Sequence, residues 1–224
     1  PMDILRTSVS LLGMTDPDTS DNSHDANVRK AIRLMAHIPL IIATAYRLAN
    51  ENLPVEPQTD LSFAEHLLYL LTDRRGDETA KAMAHVLDVS LTLYAEHEFN
   101  ASTFSARVTA STMTDLHSAI TSAIGTLKGP LHGGANEAVA EMFIEIEHCE
   151  RAERWVRAAL AHKQRVMGFG HRVLKKGDSR SAIIQQHAEA LSRICGDRRW
   201  YEIATTVDRV MQQEKGLYPN LDFY

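Results

Sequence analysis

Two of the eleven histidines stand in glycine-rich segments where a side chain can act on a bound ligand. His132 lies in Gly129-Pro-Leu-His132-Gly-Gly-Ala-Asn136, and His171 lies in Gly168-Phe-Gly-His171-Arg. Glycines let the backbone approach a ligand closely. The dipole of a helix that starts after His132 would keep this imidazole neutral, and a neutral imidazole can donate a hydrogen bond to a carbonyl oxygen that becomes an enolate. The sequence therefore predicts carbonyl chemistry at His132, with a pair of ordinary loop histidines as the alternative.

The second histidine sits in a basic segment. Arg165, Arg172, Lys175 and Lys176 flank Gly168-Phe-Gly170, which offers exposed backbone amides. Cations and backbone amides together bind phosphate-bearing ligands. No strand is predicted before these glycines, so they are not a dinucleotide-binding fingerprint. The two interpretations are a site for a phosphorylated ligand and a solvated basic loop.

No metal site is predicted. His24-Asp25 resembles the metal pair of an HD-type phosphohydrolase, but that site needs another histidine upstream, and none precedes His24. Cys149 and Cys195 lack the spacing of metal ligands, and two cysteines in 224 residues do not form a disulfide scaffold. We therefore expect no metal and a reducing, cytoplasmic location.

The composition is that of an ordinary soluble globular protein, with 44% hydrophobic and 24% charged residues. A net charge of −5 argues against a nucleic-acid partner, because such proteins usually carry a basic face. Residues 37–45, the longest apolar cluster, contain polar breaks, so we expect no membrane partner. Because the chain opens on Pro1 and closes on the apolar segment Leu221-Asp-Phe-Tyr224, we expect a fragment that lacks both termini.

Helices must position these residues, because apolar side chains recur every three to four positions along nearly the whole chain. This pattern predicts an all-α fold. Pro39 is expected to kink or break one helix, and Asn136 is expected to cap another. The one domain seam is expected at residues 129–134, where glycine and proline cluster. The predicted helices span residues 3–12, 25–49, 63–71, 79–94, 119–127, 136–146, 152–163, 181–195 and 201–213, and a further helix begins at Ser102.

The two histidine segments and three others together resemble the hallmark motifs of a known family. The motifs are Pro1-Met-Asp-Ile-Leu-Arg-Thr7, His97-Glu-Phe-Asn-Ala-Ser-Thr103, Gly129-Pro-Leu-His-Gly-Gly-Ala-Asn136, Gly168-Phe-Gly-His-Arg-Val173 and Pro219-Asn-Leu-Asp-Phe-Tyr224. In content and order they are similar to those of the citrate synthase family, which includes 2-methylcitrate synthase. The resemblance spans the whole chain.

The resemblance implies a role for each matching residue. Asp222 is similar to the general base that removes an α-proton from an acyl-CoA thioester. His132 is similar to the residue that stabilises the resulting enol or enolate, and His171 to the residue that polarises the ketone of oxaloacetate. His97 and Arg180 are similar to oxaloacetate-binding positions. The segment similar to part of the CoA site comprises Arg165, Val166, Met167, Gly168, Phe169 and Gly170.

The resemblance also implies two helical domains with the active site in the cleft between them. Residues 1–132 would be part of the large domain, and residues 133–224 would be the small domain. The implied reaction condenses an acyl-CoA with oxaloacetate to citrate or 2-methylcitrate plus CoA, with no permanently bound cofactor, in a homodimer or higher homo-oligomer.

Two short sequence segments bear on the identity of the acyl group. His97-Glu-Phe-Asn-Ala-Ser-Thr-Phe and Gly177-Asp-Ser-Arg180 slightly favour 2-methylcitrate synthase, which uses propionyl-CoA. The alternative is citrate synthase, which uses acetyl-CoA in the tricarboxylic acid cycle. An alternative from a different class is a non-catalytic helical fragment that forms an oligomer interface.

Overall fold

The chain folds into α-helices. The computed structural model describes residues 1–96, 99–170 and 177–224, and within these ranges it contains ten α-helices and no β-strand. The all-α fold predicted from the apolar periodicity is confirmed. The helices are α1 (Met2–Thr15), α2 (His24–Ala49), α3 (Phe63–Thr72), α4 (Glu78–Tyr94), α5 (Ala101–Ala110), α6 (Leu116–Leu127), α7 (Ala135–Ile146), α8 (Cys149–Ala161), α9 (Ser179–Cys195) and α10 (Arg199–Lys215).

Polar side chains set the starts of several helices. Ser62 and Glu65 form a reciprocal capping box at α3, in which each side chain accepts a hydrogen bond from the other residue's backbone N–H. The Asn100 side chain accepts from the Thr103 N–H at the start of α5, at 2.8 Å. These caps satisfy first-turn N–H groups that have no partner inside their own helix.

The start of α7 differs from the sequence prediction. Its N-cap is Gly134, at φ +89°, and no side chain caps this end. Asn136 already lies inside the first turn, where its Oδ1 accepts from the Glu137 N–H at 2.9 Å. The predicted Asn136 cap is therefore wrong, because the N-cap lies two residues earlier, at Gly134, in a left-handed conformation that glycine adopts easily.

Helix α2 runs without interruption from His24 to Ala49 with Pro39 inside it, so the predicted break does not occur. Leu34, Pro39 and Ala43 are buried, so packing supports α2 before, at and after the proline. By length and composition, α2 is also the one helix in the described ranges that could cross a membrane, although core helices of soluble proteins meet the same criterion. Because residues 37–45 contain polar breaks, the sequence did not predict a helix of this kind.

Contacts divide the chain into two compact units. The first contains residues 1–88 and 94–133. In it, α1, α2 and α6 share a core around Val9, Leu34 and Ile124. Helix α5 packs against α6, and the Ser105 and Ser122 hydroxyls are hydrogen-bonded across this contact at 2.6 Å. Small side chains at these positions allow the two backbones to lie close together.

The second unit contains residues 89–93 and 134–224. Helices α7, α8 and α9 all contact α10. Helix α10 contributes the largest share of the buried core residues. The segments that follow α8 and α10 pack against this core, and an isolated β-bridge between Phe169 and Pro219 joins them. The buried core residues of this unit are Val139, Met142, Ile146, Ala152, Val156, Ala159, Val166, Ile203, Ala204, Val207, Val210, Met211 and Phe223.

Candidate active site

The predicted site residues fall into three groups. His97 and His171 lie outside the described residues. His132 belongs to the first unit. Arg180, Asp222 and the segment 165–170 belong to the second.

A tight turn after α6 sets the position of His132. The His132 N–H donates to the Gly129 carbonyl oxygen at 2.9 Å, and the Gly133 N–H donates to the same oxygen at 3.1 Å. A Cβ atom at Gly133 would collide with the Leu127 carbonyl oxygen. The glycine after His132 therefore permits a close backbone approach that fixes the half-buried histidine.

Ser102 sets the protonation of the His132 ring. His132 Nε2 lies 3.2 Å from the Ser102 backbone nitrogen and 2.9 Å from the Ser102 Oγ. A backbone N–H can only donate, so Nε2 accepts, and the single proton of the neutral ring is on Nδ1. Ser102 is the second residue of α5, so its N–H is one of the first-turn donors that have no partner inside their own helix. The hydrogen bond that orients the His132 ring thus comes from α5, whereas the sequence suggested an effect of the helix that follows the histidine.

The Ser102 hydroxyl is itself oriented. Its Oγ lies 2.8 Å from Asn100 Oδ1 and 2.9 Å from His132 Nε2, and it donates its single proton to one of these acceptors at a time. The same Asn100 side chain caps α5. One asparagine therefore fixes both the helix end and the serine that contacts His132.

Asn220 fixes the backbone before Asp222. The Asp222 N–H donates to Asn220 Oδ1 at 3.0 Å. The Asn220 N–H donates to the Gly168 carbonyl oxygen at 2.8 Å, and its Nδ2 donates to the Gly170 carbonyl oxygen at 3.3 Å. The half-buried carboxylate predicted as a base and the segment predicted to bind CoA are therefore parts of one hydrogen-bonded structure.

The aromatic ring of Phe223 leaves no room for a side chain at Gly168. It adopts φ +81°, and a Cβ atom there would lie 2.7 Å from Phe223 Cδ2. Phe223 is 1% exposed, and its ring packs 4.5 Å from that of Phe169 and 5.5 Å from that of Phe143, measured between centroids. The Gly170 N–H donates to the Tyr218 carbonyl oxygen at 3.3 Å. The expectation of an exposed amide is therefore wrong at Gly170, because this amide is paired within the protein.

The other members of the segment divide between core and surface. The Val166 side chain is buried in the core of the second unit, and Met167 packs against that core. Arg165 is exposed. Arg165 is thus the described cation of this segment that is available to an anionic ligand.

Asp178 holds Arg180 in place. Arg180 Nε donates to Asp178 Oδ1 at 3.0 Å, and Nη2 donates to Oδ2 at 2.8 Å. Burial raises the pKa of the Asp178 carboxyl, but hydrogen bonds from the Arg180 side chain and backbone outweigh it and hold the pKa below its usual value. The backbone N–H of Leu221 lowers the pKa of Asp178 further. Asp178 is therefore influenced both by the predicted oxaloacetate-binding arginine and by the residue next to Asp222.

Three residues of this arrangement had no predicted role: Ser102, Asp178 and Asn220. Ser102 and Asn220 lie inside two of the five motifs, and Asp178 lies in the segment 177–180, but their hydrogen bonds to the site residues depend on the folded chain. In chemical terms the first unit offers an imidazole whose Nδ1 can donate. The second unit offers a half-buried carboxylate and a guanidinium with an orienting acid, and such a guanidinium suits the binding of a carboxylate.

Comparison with known proteins decides the family. The model of the citrate synthase C-terminal domain matches residues 1–224. The chain belongs to the citrate synthase family. The family recognised from the five motifs is thus confirmed.

Relatives in this family carry two activity names. Citrate synthase 2 of Bacillus subtilis is 45% identical over 224 residues, which are 100% of this chain and 59% of the relative. The 2-methylcitrate synthase of Mycobacterium tuberculosis is 44% identical over 223 residues, which are 100% of this chain and 56% of that protein. This chain therefore spans less than two thirds of the length of these citrate synthase family members.

A solved structure of the family agrees with the fold. It is the citrate synthase of the archaeon Thermoplasma acidophilum in a ternary complex with carboxymethyl coenzyme A and oxaloacetate. Its TM-score is 0.83 at 32% identity, over 100% of this chain and 59% of that chain.

Proposed function

We propose that the protein containing this chain condenses an acyl-CoA with oxaloacetate to form citrate or 2-methylcitrate and free CoA. The observation that carries the proposal is the hydrogen bonding of His132. Nε2 accepts from the start of α5, which leaves Nδ1 as the protonated donor of a neutral ring. Such a donor stabilises an enolate oxygen by a hydrogen bond, whereas a strong acid would transfer its proton to that oxygen.

In the proposed first step, Asp222 removes a proton from the carbon next to the thioester carbonyl. A thioester α-proton is a weak acid, so the carboxylate can take it only if the developing oxyanion is stabilised at the same time. The His132 Nδ1–H supplies that stabilisation by donating to the thioester oxygen. The electron pair of the broken C–H bond moves into the enolate.

In the second step, the enolate carbon attacks the ketone carbon of oxaloacetate. Arg180 binds a carboxylate of oxaloacetate, as does His97, and His171 donates to the ketone oxygen that becomes the alcohol. Asp178 supports this role because it orients the Arg180 guanidinium, whose fork geometry matches a carboxylate.

In the last step, water adds to the thioester carbonyl of the product, the C–S bond breaks, and CoA leaves as the thiol. We propose that the segment 165–170 contacts CoA, with Arg165 facing its phosphates. The acyl-CoA is a co-substrate, and we propose no permanently bound cofactor and no metal.

For the acyl group we propose a slight preference for propionyl-CoA, which would make the protein a 2-methylcitrate synthase of propionate catabolism. The amino-acid sequences at 97–104 and 177–180 support this preference, because they look slightly more like those of 2-methylcitrate synthases. Relatives named for either activity are almost equally similar, at 45% and 44% identity. The alternative is a citrate synthase that uses acetyl-CoA in the tricarboxylic acid cycle.

We also propose a cytoplasmic homodimer or higher homo-oligomer with no membrane or nucleic-acid partner. Unit 1 supports the oligomer because α2 carries a stripe of exposed apolar side chains at helical spacing. The stripe comprises Val28, Ile32, Met35, Ile42 and Tyr46, which are 40–61% exposed. Both cysteines are free, as in a reducing compartment.

The test is the release of CoA thiol by the full-length protein from acetyl-CoA and from propionyl-CoA, each with oxaloacetate. We expect release with both thioesters and a higher kcat/KM for propionyl-CoA. The ratio of the two values names the activity. Discrimination by one methylene is expected to be about 10–200-fold at most. Inactivity with both thioesters would support the non-catalytic oligomerisation fragment instead.

Asp222→Ala should abolish most thiol release, by more than about 100-fold, while the helical content is unchanged. The backbone N–H of residue 222 can still donate to Asn220, so the loop keeps its shape. Circular dichroism of the variant is the control for folding. An unaffected rate would show that another group is the base.

A further inference from the structure

A buried carboxylate in the second unit has no role in the proposed reaction. Asp208 lies on α10, is 8% exposed and is surrounded by core residues such as Val207 and Met211. Its Oδ1 accepts from Gln212 Nε2, and its Oδ2 accepts from the Tyr224 hydroxyl, both at 2.7 Å. A carboxylate in apolar surroundings is tolerated only when it is well hydrogen-bonded, and such charge-assisted bonds are short and strong. The hydrogen bonds to Asp208 therefore hold the Gln212 amide and the Tyr224 hydroxyl in place.

The Tyr224 hydroxyl is the centre of this network. It donates to Asp208 and accepts from Gln185 Nε2 at 2.9 Å. Burial, together with the hydrogen bond to Asp208, raises the pKa of Tyr224 above its usual value, so the hydroxyl keeps the proton that it donates. Because Gln185 is on α9 and Asp208 is on α10, residue 224 is tied to two helices at once.

The network begins two residues after the proposed base. Between them, Phe223 is fully buried, and its ring contacts the rings of Phe169 and Tyr224 at 4.5 and 5.0 Å between centroids. On the other side of Asp222, Asn220 accepts from its backbone N–H. The backbone that carries Asp222 is thus fixed both before and after the carboxylate.

We propose that Asp208 and the Tyr224 hydroxyl are positioning residues for Asp222, and this inference rests on the proposed function. They act through the backbone of residues 222–224 and do not touch the reacting atoms. A general base must come within about 2.6–3.2 Å of its proton. A displacement of about 1 Å costs on the order of 100-fold in rate. A buried, charge-assisted anchor two residues away limits such displacement.

Tyr224→Phe in the full-length protein tests the proposal, because it removes one hydroxyl and keeps the ring. We expect kcat for thiol release to fall by about tenfold and the KM for oxaloacetate to stay within about twofold. We also expect a larger primary isotope effect on kcat with α-deuterated acyl-CoA, because proton removal becomes more rate-limiting. Loss of folded enzyme alone would lower kcat without changing the isotope effect.

Tyr201→Phe is the matched control. Tyr201 is also on α10, and its hydroxyl lies close enough to Glu189 of α9 for that carboxylate to raise its pKa, so the change removes a polar group between the same two helices. We expect unchanged kcat and isotope effect. Asp208→Asn keeps one acceptor oxygen and should give a smaller fall than Tyr224→Phe, in the same direction. A rate for Asp208→Asn equal to that of the unchanged protein would remove Asp208 from the proposal.

Two results for Tyr224→Phe would overturn the inference: an unchanged kcat, or a lower kcat with an unchanged isotope effect. Thermal unfolding of the variant separates these results from loss of fold. If the unchanged protein releases no thiol from either thioester, the proposed function itself has failed, and the positioning role fails with it. The two kinds of failure are therefore distinguishable in one set of measurements.

Discussion

At the scale of single residues, the candidate site is built by hydrogen bonds between main chain and side chain. His132 Nε2 accepts from the backbone N–H of Ser102, and Asp222 donates its own backbone N–H to Asn220. Such bonds fix a ring or a loop without using the atoms proposed for chemistry. The His132 ring and the backbone that carries Asp222 are thereby positioned before a substrate arrives, which is the condition for electrostatic stabilisation at little reorganisation cost.

Gly168→Ala is predicted to destabilise the protein by about 1–3 kcal/mol, because the new methyl group would enter the space of Phe223. The positive φ adds about 1 kcal/mol. The urea midpoint, together with the m-value, measures the loss. Gly196→Ala is the control, because Gly196 has φ +69° and nothing within 4 Å of a Cβ atom there, so only the backbone cost remains. Equal losses in the two variants would show that the Phe223 contact yields easily.

The candidate site could be predicted from the sequence only in part. The glycines around His132 and the resemblance drew attention to His132, Asp222 and Arg180. Ser102 and Asp178 remained without a role because their contacts cannot be read from spacing. Ser102 lies 30 residues before the histidine that it contacts. Asp178 is two residues from Arg180, but the two hydrogen bonds that its carboxylate accepts from that guanidinium depend on the folded chain.

At the scale of elements, helix ends serve the site more directly than helix interiors. The first turn of α5 provides the N–H that sets the His132 tautomer, and Asp178 caps α9 while it orients Arg180. A first-turn N–H has no acceptor within its helix, so it is available to a functional side chain. The same rule makes caps a measurable part of the stability of each helix.

Ser62→Ala is predicted to destabilise α3 by about 1 kcal/mol, because it removes the side chain that accepts from the Glu65 N–H. Hydrogen exchange of the first-turn amides of α3 measures this locally. Ser62→Asn should cost only a few tenths of a kcal/mol, since asparagine is an equally good N-cap. Faster exchange in Ser62→Asn than in Ser62→Ala would contradict the capping role.

The helices themselves were largely predictable, because packing of an apolar face requires a periodicity that the sequence displays. The expected helices at 63–71 and 181–195 match α3 and α9 to within two residues at each end. Two local expectations failed. Pro39 did not break α2, because tertiary packing compensated for a local preference, and Asn136 did not cap α7, because Gly134 provided a backbone conformation that propensity does not reveal.

At the scale of the whole molecule, the first unit leaves much apolar surface uncovered. Besides the stripe on α2, the neighbouring α1 exposes Ile4, Leu11 and Met14, which are 51–82% exposed. Monomeric proteins rarely expose large contiguous apolar patches. This surface is the reason to assign the proposed oligomer contact to α1 and α2.

Ile32→Glu is predicted to convert the proposed homodimer to a monomer, because a buried unpaired carboxylate is costly in an apolar interface. Sedimentation velocity at micromolar concentration measures the mass. Ile144→Glu on α7 is the matched control, since Ile144 is 65% exposed and Ile32 is 61% exposed. We expect Ile144→Glu to keep the mass of the unchanged protein. A dimer that survives Ile32→Glu would place the contact elsewhere.

The anchors of Asp222 have a consequence for the order in which the site forms during protein synthesis. Gly168, Gln185 and Asp208 all precede the segment that they hold. The ribosome has therefore already made these partners when residue 224 emerges. The helices of the second unit can pack first, and the segment with Asp222 then docks onto a surface that exists. A nascent chain is thus expected to acquire its helical fold before it acquires its proposed base.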